Sequence, residues 1–345
     1  MLDTLETLCC LSGVSGREDE VRNYILERVM PFADEIRTDA MGNLMVFKKG
    51  DVEPEQTVML AAHMDEVGLI VTSVTDEGFL HFDQVGGLDR RVIPGKRVYV
   101  GPNRVPGTVG GKPVHLTSAE ERKKLPAWKD MYIDIGASDR KSAECLVSPG
   151  DEAVFDDKVV RFGDGFIKAK AIDDRTGCAC MVKLLESRLP CDCWFAFTVQ
   201  EEVGSRGAVT AARSIHPEIS LILEGTTAAD LPDVKGTDRI CSLGKGVVIP
   251  FMDKSTIYDR TMCGTLKRLA DKNSIPWQTK SRIAGGTDAS VIQRGGGGSR
   301  VAALSVAVRN IHSPASVAKI SECEDQLKLA RLFLEALASG SVISE

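Results

Sequence analysis

Apolar positions along this chain fall into three textures. Residues 18–30 carry Val21, Ile25 and Val29 at helical spacing before Pro31 stops the run. Residues 58–62, 194–199, 221–223 and 301–308 are short, almost unbroken apolar runs, the pattern of strands buried on both faces. Between about 69 and 160 neither texture holds: short β-like runs at 69–74, 79–84, 97–100 and 131–135 alternate with turns rich in Gly, Pro and Asp. The chain therefore reads as α/β, then a β insertion, then α/β again, with the insertion leaving and re-entering one sheet. Further expected elements are helices over 3–30 with a break at 12–16, a hairpin over 35–48 turning at Met41-Gly42-Asn43, and strands at 247–250 and 277–281. Helices are expected after Gly177 through Leu189, over 208–215, 256–272 and 324–338, and after Thr287 or Asp288 as cap. Residues 119–125 read as a short helix or an exposed loop, and the run Arg294-Gly295-Gly296-Gly297-Gly298-Ser299 as a mobile loop.

Length and composition narrow the class. With 345 residues, 43% hydrophobic and 27% charged, the chain has the make-up of a globular protein of about two domains. A net charge of −6 without a basic block gives nucleic acid no surface, and no apolar run approaches the ~20 residues of a membrane span. The first residues lack the basic start and apolar core of an export signal, so the ten cysteines are expected to be reduced thiols in a cytoplasmic protein.

Chemistry gathers where strands end. The run 194–199 stops at Glu201-Glu202, followed by Gly204 and Gly207, a strand–turn–helix junction of the kind beside which α/β proteins bind ligands. Side chains alternate there, so one glutamate can bind a metal while the other faces the reaction. Taken alone the pair could be a solvated acidic turn. His63, Asp173, Glu202, Glu224 and His312, however, all stand at strand or strand-to-helix ends. Singly each has a plain alternative, Asp173 as a helix cap and Glu224 as a turn residue. Together they would crowd one sheet edge with groups that must be paired or bound to metal. A ligand set of His, Asp and Glu without Cys suits zinc, cobalt or manganese, and a shared carboxylate would make a two-metal hydrolase site. Asp65, two residues after His63, could orient that imidazole. Glu201 remains as the carboxylate that takes a water's proton and passes it to the leaving group. Arg175 either neutralises the neighbouring aspartates or meets substrate; His81 and His216 read as surface residues and His115 as structural or interfacial.

The ordered segments His63-Met64-Asp65-Glu66-Val67-Gly68, Ile172-Asp173-Asp174-Arg175-Thr176-Gly177, Gln200-Glu201-Glu202-Val203-Gly204, Gly286-Thr287-Asp288 and Ile311-His312-Ser313-Pro314 resemble the motif series of metallopeptidase family 42, the tetrahedral aminopeptidases. Val85-Gly86-Gly87 and Lys112-Pro113-Val114-His115-Leu116 extend the resemblance into the insertion. It implies a phosphorylase/hydrolase-like three-layer catalytic domain, residues 1–68 and 163–345, interrupted by a small β-barrel dimerisation domain over residues 69–162. It further implies two divalent metal ions per subunit, short peptides as substrate, and assembly through dimers into tetrahedral dodecamers. Carried over by position, Asp173 bridges the metals, Glu202 and His312 complete one, and His63 and Glu224 the other. Glu201 is then the general base and Asp65 orients His63. Three positions depart from the family pattern: Glu224, commonly aspartate; Asn310, where the family has tyrosine before its final histidine motif; and the four-glycine run, where the family has a structured loop near the active site.

The function implied is a metal-dependent aminopeptidase working through a metal-bridging hydroxide. A dinuclear amidohydrolase or deacetylase acting on N-acylated small molecules is the alternative from the same metal core. A glycosidase needs two carboxyl groups facing each other across a sugar, about 5–9 Å apart, whereas sequence neighbours at a strand end point apart.

Overall fold

A computed structural model describes residues 1–156 and 158–341. Asp157, within the expected insertion, and 342–345, at the end of the expected second catalytic segment, lie outside the described residues. The long apolar runs form the middle of an eight-stranded sheet in the order Glu35–Thr38, Leu44–Lys48, Cys193–Thr198, Val58–His63, Ile219–Thr227, Arg300–Val308, Val247–Val248, Trp277–Gln278. The four strands from Cys193–Thr198 to Arg300–Val308 run parallel, which buries both of their faces and explains why they are apolar throughout. The Leu44–Lys48 strand pairs antiparallel with Cys193–Thr198 and closes the hairpin the turn at 41–43 predicted.

Helices cover both faces. Ile172–Leu185 lies against Ile320–Ala338 and Leu2–Cys10, while Arg206–Ile215 packs with the short Ala289–Ile292 helix. The core between them includes Leu5, Leu8, Ile25, Phe195, Phe197 and Phe333, all fully buried. Two expected helix starts move for local reasons. The helix expected from Thr256 begins at Arg260, because Asp253 accepts the N–H groups of Ser255 and Thr256 in a turn and Asp259 caps Met262 N at 2.9 Å. The last helix begins at Ile320 instead of 324, so Glu322 in its first turn is buried and accepts Gly246 N at 2.8 Å.

Residues 68–155 close into a six-stranded barrel ordered Gly68–Val74, Leu80–Val85, Met131–Asp134, Val105–Gly111, Arg97–Val100, Glu152–Phe155. It has a core of its own around Leu69, Leu80, Ile93, Val98, Ile133 and Phe155. Residues 119–125 hold only a short 3-10 turn, Glu121–Lys123. After the barrel, Val160–Phe162, Phe166–Ala169 and Ser316–Lys319 form a small antiparallel sheet, which ties the return of the chain to the segment beyond His312. The glycine run at 295–298 is a hydrogen-bonded turn, Gly298 N to Gly295 O at 2.9 Å, just before Arg300–Val308. It therefore sits at the amino edge of the parallel strands, not beside the carboxyl-edge residues as the family comparison implied.

Phe333 fills the seam between the last helix and the sheet. Phe333→Ala is expected to cost about 3–5 kcal/mol in denaturant unfolding, whereas the exposed Glu324→Ala should stay within about 0.5 kcal/mol of wild type. Equal midpoints for the two variants would contradict this packing.

Candidate metal centre

Parallel pairing sets the level of each chemical group. Thr198 stands opposite His63, and Ile222 pairs with Ala61, so Glu224 comes level with His63 two residues on. Asp173 arrives from the start of the Ile172–Leu185 segment, where its backbone and that of Asp174 are not helical. Its Oδ1 accepts Gly225 N at 3.1 Å, and a Cβ on Gly225 would lie 2.8 Å from Asp173 Cβ, so only glycine lets the strand come this close. Asp174, not Asp173, serves the helix start, accepting Gly177 N at 3.0 Å.

Asp173 lies between the two histidines. His63 Nε2 is 3.6 Å from Asp173 Oδ1 and 3.8 Å from Glu224 Oε2; His312 Nε2 is 3.7 Å from Asp173 Oδ2 and 3.3 Å from Glu202 Oε2. All five expected ligands thus converge. Among the described residues, two trios have donor atoms close enough to share an ion, His63 with Asp173 and Glu202, and His63 with Asp174 and Glu224. Asp174 was missed as a donor; its place beside Asp173 was the available signal. The other nitrogen of each histidine is held as metal ligands usually are. His63 Nδ1 faces Asp65, 3.1 Å from its carbonyl and 3.4 Å from its carboxylate, and His312 Nδ1 faces Gly87 O from the barrel at 3.1 Å.

Burial drives the electrostatics. It raises Glu201 and Glu224 well above the usual carboxylate range and Glu202 to about 7. Burial would lower both histidines, but Asp173 together with Asp65 raises His63, and Asp173 with Glu202 raises His312 to about 9. Burial works against Asp173 too, yet His312 and His63 hold it below the usual value. Glu224 Oε1 and Asp174 Oδ2 are buried with no hydrogen-bond partner. Crowded carboxylates with orphaned oxygens and two imidazoles fit divalent cations, whose charge would offset the cost of their burial.

Glu201 is set apart. Ser205 Oγ donates to its Oε1 at 3.3 Å, and it faces a cleft of about 140 Å³ also lined by Glu202, Glu224, Thr287, His312 and Lys280. Lys280, 9% exposed, is a cleft residue that sequence reading passed over, since nothing in its local pattern marks it.

Two bland readings change. Asp288 stands at the start of Ala289–Ile292 but does not cap it: its Oδ2 accepts Thr198 Oγ1 at 2.6 Å, and burial pushes it up to about 6, while Thr287 Oγ1 accepts Ala289 N at 3.2 Å. Arg175 neither neutralises the aspartates nor reaches the cleft. It is fully buried, donating to Leu8 O at 2.5 Å and Glu66 Oε1 at 3.4 Å, beside Lys170, which meets the same Glu66 oxygen at 2.6 Å. His81, His115 and His216 are exposed and away from the cluster, as expected.

The M42 glutamyl aminopeptidase family model matches residues 42–329. This chain belongs to that family. A putative aminopeptidase of Acetivibrio thermocellus is 40% identical over 331 residues, covering 95% of this chain and 97% of that protein. The lysyl aminopeptidase of Pyrococcus furiosus is 32% identical over 336 residues, 94% of either chain. Among solved structures, the TET1 peptidase of Pyrococcus horikoshii, which can assemble into a tetrahedron or a large octahedral shell, superposes with a TM-score of 0.84 at 35% identity, covering 98% of both chains. The mixed α/β fold with its closed barrel is thus that of the TET aminopeptidases. Membership of the M42 metallopeptidases makes this chain a peptidase and implies divalent metal at the site.

Because His312 keeps its proton up to about 9, it is charged at pH 7 and must lose that proton before Nε2 can bind a cation. Titrating metal-stripped protein with Zn²⁺ at pH 7 in two buffers of different ionisation enthalpy should therefore report release of about one proton or more per chain. Affinity should weaken as pH falls. Heat independent of the buffer would contradict this site.

Proposed function

We propose that this M42 peptidase is a metal-dependent aminopeptidase that removes N-terminal residues from short peptides, with Glu201 as general base. The observation that carries the reading is the divergence of two adjacent glutamates: Glu202 Oε2 lies 3.3 Å from His312 Nε2, while Glu201 meets Ser205 and the cleft. The same divergence counts against a glycosidase, which needs opposed carboxyl groups. Asp173 would be shared between two ions, with Glu202 and His312 completing one site and His63 and Glu224 the other. Nitrogen and carboxylate donors without thiolate suit zinc, cobalt or manganese. Divalent ions held there would polarise the scissile carbonyl and lower the pKa of an attacking water. Glu201 takes that water's proton and delivers it to the leaving amine. Asp65 holds His63 in the orientation that presents Nε2 to the site. The free α-amine of a peptide is drawn to the carboxylate-rich cleft, which selects the N-terminus.

Residues 69–162 are read as the dimerisation domain, and dimers as the units of a tetrahedral dodecamer. Support comes from the assembly of the Pyrococcus horikoshii relative and from Val114 and Leu116, 67% and 61% exposed on the barrel. Eight buried cysteine thiols agree with a reducing compartment such as the cytoplasm.

Glu201→Gln should keep its bound metal while turnover of aminoacyl-4-nitroanilides falls by about 10²–10⁴-fold. Turnover at the wild-type level would sink the assignment of the base. Running N-acetylated peptides beside free ones separates the readings, since cleavage of the acetylated set would make the chain an amidohydrolase.

Names alone do not transfer a preference, because the family description says glutamyl and a relative of similar length says lysyl. Lys280 does discriminate. A buried ammonium in the cleft favours an acidic N-terminal side chain, so glutamyl or aspartyl substrates should lead. Lys280→Met should reduce kcat/KM on them by about tenfold or more, with leucyl substrates changed far less. A lysyl preference would refute this.

A further inference from the structure

Where the Cys193–Thr198 strand ends, four consecutive backbone N–H groups leave the sheet and are taken up by side chains from elsewhere. Val199 N donates to Asn43 Oδ1 at 3.0 Å and Gln200 N to Glu18 Oε1 at 3.1 Å. Glu201 N and Glu202 N donate to the two carboxylate oxygens of Asp65, at 2.9 and 3.1 Å. Asn43, Glu18 and Asp65 are buried and come from three separate loops. The backbone they hold is not a relaxed one. Gln200 has φ +56°, a left-handed conformation that L residues adopt only at a cost, so its surroundings must hold it there.

Glu18 is the least expected member. It occupies the N-cap position of Asp19–Val29, yet its side chain makes no bond to that helix. Its Oε1 instead accepts Gly16 N at 2.7 Å and Gln200 N at 3.1 Å. Ser15, three residues earlier, donates Oγ to Asp65 Oδ2 at 2.5 Å. The segment between the first two helices, which in sequence is only a break, thus reaches both carboxylates that fix the Gln200–Glu202 backbone.

We propose that Glu18 and Ser15 are positioning residues for the catalytic glutamates. Glu18 pins the left-handed turn at Gln200, and Ser15 fixes the carboxylate of Asp65 that carries Glu201 N and Glu202 N. Together they set the directions in which Glu201 and Glu202 diverge. Without the acceptor at Glu18, Gln200 relaxes toward ordinary backbone angles and the 200–201 peptide rotates. Glu201 then swings away from its working position, while His63, Asp173 and Glu224 keep their own supports. The proposal rests on Glu201 being the base.

The test uses the full chain, loaded with one metal, in the variants Glu18→Leu, Glu18→Gln, Ser15→Ala and, as a control on the exposed face of the same helix, Glu27→Ala. For each, kcat and KM on an aminoacyl-4-nitroanilide, bound metal per chain and Tm are measured. Misplacing a catalytic group by about 1 Å can lower the rate by about 10²-fold, so Glu18→Leu should lose between about ten- and a hundred-fold in kcat. Its KM should stay within about threefold and its metal content should match wild type. Glu18→Gln retains an amide oxygen able to accept both N–H groups, and should recover to within about threefold of wild-type kcat. Ser15→Ala should lose about three- to tenfold in kcat, and Glu27→Ala none. The proposal is overturned by a folded, metal-loaded Glu18→Leu with wild-type kcat, by Glu18→Gln as impaired as Glu18→Leu, or by a change confined to KM or Tm. If Glu18→Leu does not fold, unchanged kcat in Ser15→Ala overturns it. Failure of the underlying reading looks different: Glu201→Gln would stay active, whereas failure of the positioning role leaves Glu201→Gln inactive and Glu18→Leu active.

Discussion

Four parallel strands reach one edge of the sheet in register, and the site depends on that shared edge. Parallel hydrogen bonding fixes the stagger between neighbours, so His63, Thr198 and Glu224 are set at one level by the ladder itself. The strands are buried on both faces, and little in the middle of the sheet can slide without exposing Phe195, Ile222 or Leu304. Rigid placement matters because the groups at the edge repel one another. Asp173, Asp174, Glu201, Glu202 and Glu224 stand together with two imidazoles, and only a well-packed support holds so many carboxylates close.

Around this edge, segments far apart in the chain each contribute one restraint. The barrel sends Gly87 O to His312, and the small sheet formed with Ser316–Lys319 secures the segment behind that histidine. His312 and Asn310 both have positive φ, and Ser313 and Ser316 donate to Asn310 O to hold the turn. Asparagine enters this conformation more readily than most residues, which suits Asn310 to this turn. Glu66, Lys170 and Arg175 form a buried ion cluster that fastens the first helix beneath the His63 loop. The N-terminal segment, the barrel and the last strand are therefore parts of one site.

The departures from family pattern have unequal weight in the fold. Glu224 keeps the oxygen chemistry of the usual aspartate and comes within 3.8 Å of His63 Nε2, with one oxygen left free of hydrogen bonds. The glycine run, by contrast, lies at the opposite edge of the parallel strands from the carboxylate and histidine cluster, beside Ala212 and His216. Its composition drew notice in the sequence, but its position separates it from the chemistry.

Much of the protein was legible from the chain alone. Apolar runs ending in His63, Glu202, Glu224 and His312 marked strands and candidate ligands together, because burial on both faces leaves an unbroken apolar signature and a strand end is where polar residues return. The alternation that separates Glu201 from Glu202 follows from backbone geometry, and it too could be read locally. Tertiary structure decided whatever depended on contacts across the chain. Asp288 looked like a cap and is a buried partner of Thr198; Arg175 looked like a counter-charge to the aspartates or a substrate contact and is locked to Leu8 and Glu66; Lys280 and Glu18 looked ordinary, and one faces the cleft while the other holds Gln200. A polar side chain has the same local pattern whether its partner is the next turn or a strand two hundred residues away. Periodicity reports which face a residue occupies; only the packed chain supplies the group it meets there.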